Sequence, residues 1–87
     1  MIVVSDTSPL TALITIQQID LLQQLYGEVK IPPAVAEELL AYHTAIPSFI
    51  QIVPVQEIPL LAELNRQLDR GEAEAIVLAK ELVLTFC

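Results

Sequence analysis

The sequence predicts an α/β fold built around a parallel sheet. Three observations lead there. Short β-branched runs alternate with stretches of helical periodicity, the connections between successive runs are long enough for crossovers, and proline or glycine punctuates nearly every junction. The order is strand, helix, strand, helix, strand, helix, helix, strand, with a second cap signal inside the first helical stretch.

Ile2-Val3-Val4 forms the first strand, a β-branched run of the kind found in buried strands. Ser8 is expected to cap the next helix, with Pro9 at its first position and Leu10, Leu13 and Ile14 at helical spacing. Asp20 with Gln23 three residues on resembles a capping box, Leu21, Leu22 and Leu25 follow, and Gly27 closes that helix. Val29-Lys30-Ile31 is the second strand. Pro33 opens a helix through Tyr42 with Val35, Ala36, Leu39 and Leu40 on its apolar side.

Phe49 to Val55 is read as the third strand, and Pro54, which cannot donate to a ladder, places it at an edge. Pro59 starts a helix carrying Leu60, Leu61, Leu64 and Leu68. Asp69-Arg70-Gly71 is expected to break it, with another helix from Glu72 to about Leu82. Val83 to Phe86 has the character of a fourth strand. The sequence ends at Cys87, without the helix that would cover that strand's face, so an α/β fold cut short at its C-terminal end is expected.

Composition narrows the function classes. At 87 residues the chain is a single domain, 1–87, that buries a modest share of its surface. It is 54% hydrophobic, with a mean hydropathy of +0.60. Yet no apolar run reaches the roughly 20 residues of a membrane span. Met1-Ile2-Val3-Val4 meets Ser5-Asp6 without a basic leader, so no signal peptide and a cytoplasmic location are expected. The excess apolar surface is expected to face the buried sheet or a second protein, including a second copy of the chain.

A single cysteine, Cys87, and a single histidine, His43, leave little for a disulfide, a His/Cys metal site or a serine–histidine pair. No glycine-rich phosphate loop is present, and the four aromatic residues form no stacking platform. Eleven acids against four bases (net −7) oppose the charge of an ordinary nucleic-acid binder. Divalent cations would reconcile the two by screening clustered carboxylates.

Three sets of carboxylates could form such a cluster. Asp6 follows the first strand, where open parallel sheets bind ligands, although a turn or cap role is the commoner fate of such a residue. Glu37 and Glu38 sit about 100° apart on one helix, so only one can face a shared cleft, and a solvated helix face is the ordinary reading of Glu37. Glu72 and Glu74 stand at the start of the last predicted helix, an ordinary place for acids, among small residues (Ala73, Ala75, Ala79) that permit close packing.

Val3-Val4-Ser5-Asp6-Thr7-Ser8-Pro9-Leu10 resembles the opening strand and turn of PIN domains, in the branch that begins S-D-T-S-P-L. Ile31-Pro32-Pro33-Ala34-Val35-Ala36-Glu37-Glu38-Leu39 is similar to the second motif of that branch, and Gly71-Glu72-Ala73-Glu74-Ala75-Ile76-Val77-Leu78-Ala79 to its third. Together the motifs span nearly the whole chain. The resemblance implies a three-layer α/β/α fold and a VapC-like toxin of a toxin–antitoxin pair. It also implies an endoribonuclease using Mg²⁺ or Mn²⁺, with RNA as substrate and a cognate antitoxin protein as partner. Carried over by position, it makes Asp6, Glu38 and Glu74 the catalytic, metal-binding acids, with Glu74 standing where many relatives have aspartate. Relatives continue into a strand ending in paired aspartates, which Leu82-Val83-Leu84-Thr85-Phe86-Cys87 does not contain, and a C-terminally truncated member of the family is therefore expected.

Overall fold

The computed structural model describes residues 2–82 and 85–86. The elements run β1 (Ile2–Val4), α1 (Thr7–Thr15), α2 (Asp20–Tyr26), β2 (Glu28–Ile31), α3 (Pro33–Tyr42), β3 (Ile50–Ile52), α4 (Pro59–Asn65), α5 (Arg70–Leu82) and β4 (Thr85–Phe86). The strands form one sheet in the order β3-β2-β1-β4. All three pairings are parallel, with Val3 opposite Val29 and Val29 opposite Ile50.

Alternation along β1 divides the core. Val3 faces one side, with Val29, Ile31 and Ile50 from the neighbouring strands, under Leu10 of α1, Leu22 of α2 and Val35, Ala36 and Leu39 of α3. Val4 faces the other side and meets Ala75, Leu78 and Ala79 of α5. Leu61 of α4 packs on Ala73 and Val77, which alternate with those residues along α5. Helices therefore cover both faces, the expected three-layer α/β/α arrangement. Because Ala73, Ala75 and Ala79 are small, α5 approaches the sheet and its neighbours closely. The sheet order also makes β3 an edge strand, consistent with Pro54 just beyond it.

Several boundaries differ from the sequence expectation. The cap of α1 is Asp6, whose carboxylate accepts the Ser8 N–H at 3.2 Å. Ser8 is thus inside the first turn, and Pro9 stays tolerable there because its amide would have no helical partner. In α2 the cap position is Ile19 and Asp20 is the first helical residue, with no side-chain cap bond. Gly27 does close that helix, at φ 81°, a conformation costly for other residues.

The third strand is shorter than Phe49–Val55, although the Val53 N–H still donates to Ile31 O at 2.8 Å. The expected break after α4 is present but falls earlier, at 66–69, so that Arg70 and Gly71 already belong to α5 and Asp69 Oδ1 accepts the Glu72 N–H at 2.9 Å. Gly71 is a helical residue. The expected fourth strand is present at Thr85–Phe86, while its first half, Val83 and Leu84, lies outside the described residues, as does Cys87.

Candidate metal centre

The acids gather near the C-terminal end of β1, the second turn of α3 and the start of α5. Asp6 is placed by β1 itself: the Ser5 N–H donates to Lys30 O at 3.0 Å, extending the β1–β2 pairing to the residue before it. Ser5 is buried, and its hydroxyl donates to Asp6 O at 2.9 Å. The Asp6 carboxylate is partly committed to capping α1. That bond occupies one oxygen, leaving acceptor capacity on the group.

Glu38 is half-buried on α3 and reaches across to α5. Its Oε1 lies so close to Gly71 that a β-carbon there would overlap it, and its Cδ would be 3.3 Å away. Close approach, not backbone freedom, explains the glycine. Glu37, beside it, is exposed and pairs with Arg70 Nη1 at 3.0 Å. Both neighbouring glutamates therefore face α5, with different partners.

Glu74 is the most tightly held of the acids. Its side chain is 12% exposed. Oε1 accepts the Ala34 N–H at 3.1 Å, and Oε2 accepts from Arg70 Nε at 3.1 Å. Two carboxylates beside Arg70 hold its guanidinium above its ordinary pKa, the Glu74 hydrogen bond first and the Glu37 charge next.

Glu72 has the opposite surroundings. Its carboxyl is raised above the ordinary glutamate range, first by the Asp69 charge, then by desolvation, and further by the charges of Asp6 and Glu38. Asp6, Glu38, Asp69 and Glu72 thus crowd negative charge into one region. Such oxygen-rich, thiol-free surroundings suit a hard divalent cation. Among the described residues, however, no three acidic, histidine or cysteine side chains are arranged as a metal-holding group.

The sequence expectation was Asp6, Glu38 and Glu74. Asp6 and Glu38 both act electrostatically on Glu72, while Glu74 is engaged by Ala34 and Arg70. The repulsion on Glu72 comes first from Asp69, at the position expected to break the helix. Its D-x-x-E spacing to Glu72 is a capping pattern that could have revealed the true start of α5. His43 follows α3 and is half-buried, and its Nε2 has no hydrogen-bond partner among the described residues. A 240 Å³ depression lined by Glu57, Ile58, Leu61, Ala62 and Asn65 contains none of the three expected acids. Among the described residues no helix is long and apolar enough to cross a membrane.

No curated protein and no solved structure matches the chain. A family model described as a PIN domain matches residues 2–85, which takes in all three motifs and every acid discussed above. By that match, on a three-layer α/β/α fold with parallel strands, the chain belongs to the PIN-domain family.

Proposed function

We propose that the chain is a toxin-type endoribonuclease that uses Mg²⁺ or Mn²⁺ to hydrolyse RNA phosphodiesters. The observation carrying this reading is the crowding of carboxylates around Glu72, Asp69 first and then Asp6 and Glu38, with Glu38 lying against Gly71, within a PIN domain. Like charges held together raise the cost of ionisation, and a divalent cation among them removes that cost. The ligands proposed are Asp6, Glu38 and a third acid from the first turn of α5. Motif position favours Glu74 for that third place, and surroundings favour Glu72.

A bound ion would lower the pKa of a coordinated water and neutralise charge developing on the phosphate. The chain's own contribution is positional. β1 delivers Asp6, α3 delivers Glu38, and the glycine on α5 makes room for the Glu38 carboxylate. The net charge of −7 opposes RNA, so binding would depend on the cation as well as on shape.

The test is cleavage of a labelled single-stranded RNA in Mn²⁺, compared with Asp6→Asn. Cleavage by the unsubstituted chain and its loss in the variant are expected. Equal rates in the two would remove the enzyme reading.

A second reading, a binding module that dimerises or holds a basic antitoxin peptide, is favoured by exposed Leu25, Leu40, Tyr42 and Ile52 together with the acidic charge. Light scattering with and without a basic amphipathic peptide tests it. A monomer without affinity for the peptide would count against that reading.

A further inference from the structure

We infer that Glu74 is a positioning residue that ties the start of α3 to α5, and is not itself a metal ligand. The inference rests on the metal-site reading above and assigns one of its residues a different task. It begins with the sequence at the helix start. The cap position of α3 is Pro32 and its first residue is Pro33. Neither has an N–H, and Pro32 has no side-chain acceptor to satisfy the amides that follow. No side-chain cap bond is made from that position.

The acceptor comes instead from α5. Glu74 Oε1 receives the N–H of Ala34, 40 residues away in sequence. Negative charge at a helix N-terminus is also favourable to the helix dipole. The second oxygen is equally committed, since Oε2 receives Arg70 Nε at 3.1 Å while Arg70 Nη1 reaches Glu37 at 3.0 Å. Glu74, Arg70 and Glu37 therefore link α5 back to α3.

Turning Glu74 toward a cation would strip the acceptor from the amide of Ala34, a residue 3% exposed, and would release Arg70 from one carboxylate. Left in place, the same link holds the helix pair in which Glu38 lies against Gly71. Glu72 and Glu74 are about 200° apart around α5, so one carboxylate can serve α3 while the other faces elsewhere.

The experiment uses the full chain and two readouts: Mn²⁺ affinity from the free-ion paramagnetic signal, and hydrogen exchange of the Ala34 amide. Glu74→Gln keeps an oxygen for Ala34 but removes the charge. Glu74→Ala removes both, and Asp6→Asn serves as the ligand control. Glu74→Gln is expected to retain Mn²⁺ affinity and Ala34 protection. Glu74→Ala should lose protection and weaken Mn²⁺ binding by about tenfold or more, the scale of supporting residues around metal sites. Asp6→Asn should lose affinity with Ala34 still protected.

Loss of affinity in Glu74→Gln equal to that in Asp6→Asn, with Ala34 protected, would overturn the inference. If the unsubstituted chain binds no Mn²⁺, the metal reading fails and the exchange data decide the link by themselves. Protection lost in Glu74→Ala but kept in Glu74→Gln supports it, and protection unchanged in Glu74→Ala overturns it.

Discussion

Gly71 and Glu38 are in such close contact that no side chain fits between α5 and the Glu38 carboxylate. Alanine in an ordinary helix interior is about 1 kcal/mol more favourable than glycine. At Gly71 that gain is set against a collision, but the colliding atom is the end of a flexible side chain. Gly71→Ala is therefore expected to alter unfolding free energy by less than about 1 kcal/mol in urea, while displacing Glu38 and weakening Mn²⁺ binding. A large loss of stability with affinity intact would show that backbone, not the carboxylate, gives way.

Asp6→Asn separates capping from charge. Asparagine caps helices about as well as aspartate, so the bond to Ser8 N–H survives and stability should change little. Asp6→Ala removes the acceptor and should cost roughly 1 kcal/mol, measured by urea unfolding. Equal stability losses in the two variants would count against the cap assignment.

Glu72 predicts a pH dependence. Its carboxyl is raised in the folded chain from an ordinary 4.5, led by the Asp69 charge. The folded chain therefore holds that proton more tightly than the unfolded chain, so this group's contribution to stability falls as pH rises from 4.5 through the raised value. At neutral pH Glu72→Gln should raise the melting temperature. Below the ordinary value, where the group is protonated in both states, the advantage should vanish. A melting temperature unchanged by the substitution at every pH would contradict the crowding.

Core truncation sets the scale for these effects. Leu39 is fully buried between α3 and the sheet. Leu39→Ala should cost about 2–5 kcal/mol, a large share of the roughly 5–15 kcal/mol that holds a small domain folded. Circular dichroism during urea titration measures it, and a loss below about 1 kcal/mol would mean the cluster is loosely packed.

Much of the fold was legible because its punctuation is local. Pro33 fixes its own φ and α3 begins there as expected, and Gly27 closes α2 for an equally local reason. Ser8 and Asp6 could both cap α1, and local chemistry barely distinguishes them. The choice depends on where the paired end of β1 leaves the backbone.

Gly71 looked like a helix breaker because its reason for being glycine is the carboxylate of Glu38, 33 positions earlier in the chain. The commitment of Glu74 was hidden for the same reason, since its partner is a backbone amide on another helix. One clue was visible. A helix opening on Pro32-Pro33 has amides that its own sequence cannot satisfy.

The parallel pairing of β1 with β2, and the docking of α5 behind Val4, tie the assembly of the site to completion of the fold. Asp6 and Glu38 approach α5 only through contacts between distant chain segments, whose loops are costly to close. A nascent or half-unfolded molecule carries every acid, but apart from one another. Completing the sheet is thereby what gathers them.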